Sequence, residues 1–180
     1  MKMIYKIVDT ETKLDFFDCG IGSINQMVKE CVYPVLCNQA KIISVSAEDE
    51  VVAFYSLAIT SVEYADSDAE AFEYCHQTSR FGALKVNFIA VDKNVQHIGI
   101  GKQIMKKIIM EAIELHAIAP VRFVVLDALY DKVEWYRDIG FDYVKSSDTD
   151  ETLETVRMFF DLMTDEEWDR LKNYNERYYI

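Results

Sequence analysis

The 180-residue sequence holds only six glycines and two prolines, too few for a collagen-like or linker-rich architecture. It lacks any apolar run near the roughly 20 residues that cross a bilayer; the longest, Val51–Ile59, is broken by Ser56. The opening MKMIYKIVD has no continuous apolar stretch and soon turns acidic, so a secretory signal is not expected. Cys19, Cys31, Cys37 and Cys75 form no C-x-x-C pair, and the three histidines fall at no zinc-ligand spacing. No metal is expected, and free thiols in a reducing compartment are the simple reading. By elimination the expected location is the cytoplasm, with no membrane partner. Cys75 stands beside His76, but sequence neighbours point apart on a strand or helix, so the pair is weak ground for a nucleophile and base.

Positive charge is also scarce: 19 bases against 31 acids leave a net charge of -12. Such a field repels phosphates, so nucleic acid and anionic membranes are unlikely partners on charge alone. A cationic substrate is compatible with it, as is the plain solubility that surface charge confers. The charge is uneven. Lys85, Lys93, Lys102, Lys106 and Lys107 face only Asp92 across residues 85–107, a local balance of +4, whereas residues 148–177 carry ten acids and four bases. Lysines gathered in one segment of an acidic chain suit an anion there.

What the sequence does have is core material. Hydrophobic residues make up 51% and aromatics 13%, which excludes disorder, and the length suits one domain, 1–180. Strands are expected at Tyr5–Val8, Lys41–Ser46, Val51–Ile59, Leu84–Val91, Val121–Leu126, Phe141–Lys145 and Val156–Met163. The acidic run at residues 47–50 reads as a hairpin turn, and Glu63–Arg80 as a long loop or broken helix. Helices are expected at Leu14–Phe17, Ile21–Cys31 and Lys132–Asp138, the last stopped by Gly140. The clearest helix has Ile100, Ile104, Ile108 and Ala112 every four residues, with Met105, Ile109 and Ile113 placed on the same side. Thr164 with Glu167 is a capping-box signal for a last helix through about Arg177. The order β, α, α, β, β, β, α, β, α, β, β, α predicts a mixed α/β fold, its central sheet carrying crossover helices.

The segment with chemistry is the apolar strand Leu84–Val91, the loop Asp92–His97, and the glycines of Gln96-His97-Ile98-Gly99-Ile100-Gly101 opening the long helix. Glycines at a strand-to-helix turn let backbone approach a ligand, and free amides at a helix N-terminus attract an anion. Lys102 in the first helical turn is unfavourable against the helix dipole unless an anion is bound. A tight turn that merely packs the helix on the strand stays as the alternative.

Val91-Asp92-x3-Gln96-x2-Gly99-x-Gly101 after an apolar strand resembles motif A, [Q/R]-x-x-G-x-[G/A], of the GNAT N-acetyltransferase superfamily. Trp135-Tyr136-Arg137-Asp138-Ile139-Gly140-Phe141 resembles the family's F-Y-x-x-x-G-F. Phe17-Asp18-Cys19-Gly20 and the hairpin strand ending in Ala53–Leu57 resemble a branch that includes toxin-type enzymes acetylating the amino group of aminoacyl-tRNA. The resemblance covers roughly residues 5–163. It implies the GNAT fold, acetyl-CoA as acyl donor, and transfer of the acetyl group to a primary amine, on a small molecule or a peptide, with aminoacyl-tRNA or a non-catalytic CoA-binding module as alternatives; a homodimer is compatible with it. It implies that backbone at Ile89, Ala90 and Val91 pairs with the pantetheine arm. The stretch Gln96, His97, Ile98, Gly99, Ile100, Gly101 and Lys102 would wrap the pyrophosphate, and Tyr136 would protonate the leaving thiolate. Without the motif Tyr136 reads as an amphipathic core residue. Where the family often places an Asn for CoA this chain has Leu129, with Asp131 nearby. The general base is unassigned: Glu63 could relay a proton through water. Asn87, polar in an apolar strand and expected to be buried, could line the acceptor site or bond to a neighbouring strand. His76 and His116 read as surface residues.

Overall fold

In the computed structural model, described for residues 2–14, 16–48, 50–63, 67–72, 75, 79–145 and 154–178, alternation and helical periodicity become seven strands and five helices among those residues. They are β1 (Met3–Ile7), α1 (Gly22–Lys29), α2 (Val32–Leu36), β2 (Lys41–Ala47), β3 (Glu50–Glu63), β4 (Arg80–Val91) and α3 (Ile100–His116). Then follow β5 (Val121–Leu129), α4 (Val133–Arg137), β6 (Asp142–Tyr143), β7 (Thr155–Asp161) and α5 (Asp165–Tyr178). The strands make a mixed seven-stranded sheet in the order β1-β2-β3-β4-β5-β7-β6, the GNAT-type α/β architecture expected.

The element order matches the expected one, but two helices change identity. The described residues of Leu14–Phe17 are not helical, and the second helix is instead α2, which contains Pro34. Proline is tolerated there because it sits in the first turn, where the N–H has no intrahelical partner anyway. The 3₁₀ turns at Glu70–Phe72 and Lys93–Val95 shorten the loops, while β3 runs to Glu63 and β4 opens at Arg80, longer than the apolar runs alone suggest. The 47–50 hairpin is present, Ala47 opposite Glu50. His76 lies outside the described residues.

The chain divides into two compact units. The first, Met1–Ile59 with Lys85–Glu111, holds β1, β2 and most of β3 as an antiparallel run. Its core gathers Val8, Phe17, Val28, Cys31, Ile42, Phe54, Phe88 and Ala90, with Phe17 edge-on to Phe54 at 4.9 Å. On α3, Ile100, Ile104, Met105, Ile108 and Ala112 are buried as the period requires. Ile113 is not: it is 51% exposed, because nine residues beyond Ile104 a helix has turned to about the opposite side.

The second unit is Thr60–Leu84 with Ala112–Ile180. Phe72 stacks on Phe123 at 4.8 Å and meets the edges of Phe81 and Phe159 at 5.3 and 5.7 Å. Arg122 is buried beside this cluster. It donates to Asp161 Oδ2 at 3.0 Å, to the Ala71 carbonyl at 2.6 Å and to Cys75 Sγ at 2.9 Å. A buried guanidinium demands such full pairing. Gly82 is required by close approach, since a Cβ there would lie 2.2 Å from the Pro120 carbonyl oxygen. The capping box forms as expected, with Thr164 N–H donating to Glu167 Oε2 at 2.8 Å and Glu167 N–H to Thr164 Oγ1 at 3.3 Å.

Candidate active site

The turn from β4 into α3 is built by cross-links to the N-terminal segment of the same unit. Asp18 Oδ2 pairs with Lys93 Nζ at 2.7 Å, and its Oδ1 accepts from Gly20 N–H at 2.8 Å and Asn25 Nδ2 at 2.6 Å. The Lys93 bond first, then those two, holds the Asp18 carboxyl well below the usual carboxylate range. Lys93 N–H also donates to the Asp18 carbonyl at 2.8 Å. Asp92 Oδ1 caps the 3₁₀ turn by accepting from Asn94 N–H at 2.9 Å. Gln96 Nε2 donates to the carbonyls of Val91 and Cys19, both at 2.9 Å. The Gln96 amide therefore braces the turn, a job that its motif position did not disclose.

Within that brace the backbone is contorted where the glycine spacing suggested. His97 takes φ +61° and Gly99 φ +93°, both left-handed. A side chain at Gly99 would be strained, and the space its Cβ would enter is open. Gln103 N–H makes the bond to Gly99 O at 3.1 Å, so the amides of Ile100, Gly101 and Lys102 precede the first intrahelical bond and are left over. His97, Ile98 and Gly99 are exposed, whereas Ile100 is buried and anchors the helix start. This is a run of N–H groups without an intrahelical partner at the positive end of a 17-residue helix.

The lysine cluster divides. Lys93 is neutralised by Asp18, and Lys107 pairs with Glu111 at 2.7 Å while lying 5.0 Å over the Tyr5 ring. Lys102 and Lys106 are exposed and have no ion pair among the described residues. Of the four lysines from 93 to 107, those two are the ones without an ion pair among the described residues. Ile89 and Val91 are half-buried and Ala90 is buried at the end of β4.

Tyr136 belongs to the second unit. It sits on α4 with its ring edge-on to Trp135 at 4.7 Å and to Phe141 at 5.7 Å. The ring is half-buried, and desolvation pushes its phenol pKa up to about 12. Its hydroxyl makes no hydrogen bond among the described residues. The phenol therefore stays protonated at neutral pH, as a weaker acid than a free tyrosine. Gly140, at φ +110°, ends α4 as expected.

Other candidates are used elsewhere. Glu63 pairs with Arg80 at 2.6 Å. His116 is half-buried rather than superficial, its Nδ1 2.7 Å from the Val121 carbonyl and its Nε2 3.3 Å from Glu167 Oε1. Asp131 pairs with its neighbour Lys132 at 2.5 Å. Asn87, expected to be buried, is exposed, and its Nδ2 donates to Ser56 Oγ at 3.0 Å. Cys19, Cys31 and Cys75 are buried and Cys37 exposed, all as free thiols. No helix among the described residues is long and apolar enough to cross a membrane.

The family model for the acetyltransferase (GNAT) domain matches residues 58–162. The chain belongs to the GNAT acetyltransferase family. It is an acetyltransferase. No curated protein matches it by sequence. Among solved structures, a bacterial toxin is similar at TM-score 0.78 and 16% identity, covering 99% of this chain and 98% of that one. A tyrosine-to-phenylalanine variant of KacT is similar at TM-score 0.77 and 15% identity, covering 97% and 99%. AtaT complexed with acetyl-methionyl-tRNAfMet is similar at TM-score 0.75 and 16% identity, covering 95% and 99%. At these identities the likeness is one of fold. It spans nearly the whole chain, further than the residues 5–163 that the motifs reached.

Proposed function

We propose that this GNAT chain, acting as one acetyltransferase domain over 1–180, passes acetyl directly from acetyl-CoA to a primary amine, with the acid and the donor site on its own residues. The observation that carries the reading is the left-handed turn at His97 and Gly99, followed by three helix-start amides without an intrahelical partner and by the exposed Lys102 and Lys106. Those groups suit a pyrophosphate: N–H donors, the positive helix end and two uncompensated ammoniums. The pantetheine arm is assigned to backbone at Ile89, Ala90 and Val91, the end of β4 that leads into the turn. When bound, acetyl-CoA supplies an activated thioester. Tyr136 then donates its phenolic proton to the departing sulfur as the C–N bond forms and the C–S bond breaks, and solvent takes the proton lost by the amine. Free thiols and the absence of zinc spacing support action in a reducing compartment, the cytoplasm.

A second reading puts the amine on an aminoacyl-tRNA. The similarity to AtaT complexed with acetyl-methionyl-tRNAfMet, over 95% of this chain, favours it; the net charge of -12 opposes it. A thiol-release assay with acetyl-CoA against spermidine, a peptide with a free N-terminus and methionyl-tRNA tests both. Acceptor-dependent CoA release is expected with one class. Release with none of them would overturn the acetyl-transfer reading.

A further inference from the structure

We propose that Asn87, fixed by Ser56, is the residue that orients the attacking amine; the inference rests on the acetyl-transfer reading above. In β4, Val86, Phe88 and Ala90 are buried while Asn87, Ile89 and Val91 lie on the more open side. By strand alternation Asn87 therefore shares a side with Ile89 and Val91, two of the three residues assigned to the pantetheine arm. It precedes Ile89 by two residues, about 7 Å along a strand. It is the one uncharged polar side chain between residues 84 and 91.

Asparagine is disfavoured in strand interiors, so its presence there calls for a reason. A cross-strand pin is a poor one, because an exposed amide already hydrogen-bonds to water and gains little from exchanging partners. The bond it makes ties one end of the amide to the neighbouring strand. Ser56 is buried, at 2% exposure, and its Oγ accepts from Asn87 Nδ2 at 3.0 Å. With Nδ2 donating to Ser56, Oδ1 is left as an acceptor with no partner among the described residues. A fixed carbonyl-type acceptor is what an incoming amine or ammonium, rich in N–H donors, would bind. Asn87 is no base, since its amide takes no proton at neutral pH. Its contribution is to hold the amine nitrogen in line for attack.

The test uses the full chain and whichever of spermidine, the N-terminal peptide or methionyl-tRNA the wild type acetylates. Asn87→Ala is expected to raise the KM for that amine at least tenfold, with the Kd for acetyl-CoA within twofold of wild type and the melting temperature nearly unchanged. Ser56→Ala, which frees the amide to flip, should raise the same KM by a smaller factor. Asn87→Asp should bind the ammonium form and shift the KM-against-pH profile to lower pH. An unchanged amine KM in Asn87→Ala, or a loss confined to acetyl-CoA binding, overturns the assignment. Wild-type protein that acetylates none of the three overturns the underlying reading and this one with it. Intact turnover with a normal amine KM in Asn87→Ala overturns this one alone.

Discussion

Lys93 Nζ rests 2.7 Å from Asp18 Oδ2, a pair separated by 75 residues in sequence. It fastens the turn between β4 and α3 to the segment that precedes α1. Lys93 belongs to the basic segment by sequence, yet its charge is already spent on this tether.

The tether has a pH signature. The Asp18 carboxyl is depressed in the folded chain, with Lys93 the largest cause. A depressed acid contributes stability fully above its unfolded value, about 3.9, and loses it as pH falls through the lower folded value. Asp18→Asn should therefore lower the melting temperature at neutral pH and at pH 5, and the gap to wild type should close in strong acid. A gap independent of pH would assign the bond no ionic part.

Gly99 at φ +93° should tolerate no β-branched side chain. Gly99→Val should weaken CoA binding at least tenfold, about 1.4 kcal/mol, as read by calorimetry on a variant whose circular dichroism is native. Unchanged affinity would place the pyrophosphate elsewhere.

Of five lysines in the basic segment, Lys102 and Lys106 have no ion pair among the described residues. CoA affinity should fall as salt rises from 0.05 to about 0.5 M, since exposed charges are screened over roughly 10 Å or less. Lys102→Gln should flatten that slope. A wild-type affinity indifferent to salt would leave the amides alone holding the ligand.

Tyr136→Phe keeps both ring contacts, to Trp135 and Phe141, and removes only the hydroxyl. Turnover should drop by about 10²-fold or more, with acetyl-CoA KM and melting temperature nearly constant. Because the phenol is pushed up to about 12, the wild-type rate should show no alkaline loss from this group below about pH 11. Near-normal kcat with a lowered melting temperature would return Tyr136 to the core.

The sequence was most readable where one period or one motif acted alone. The stripe Ile100, Ile104, Ile108 and Ala112 placed α3, and the Gly99 and Gly140 spacings marked two left-handed turns that the backbone adopts. It was least readable where partners lie far apart along the chain. Gln96 looked like a ligand contact because nothing local says that its amide is taken by Cys19 and Val91. His116 looked superficial because Glu167 lies 51 residues on. Asn87 looked buried because its neighbours are apolar, whereas alternation turns it outward. Gly82 carried no signal at all: its need arises from the Pro120 carbonyl, a contact no window of sequence contains.

Arg122 grips the 60–84 stretch at a main-chain oxygen, that of Ala71. A carbonyl is the same whatever side chain its residue bears. A change at position 71 that still fits against the aromatic cluster leaves the clasp intact, whereas loss of Arg122 or Asp161 alone strands the other's charge. Sequence divergence in this family member can accumulate on one partner of the contact only, which is one way a fold outlives the recognisability of its sequence.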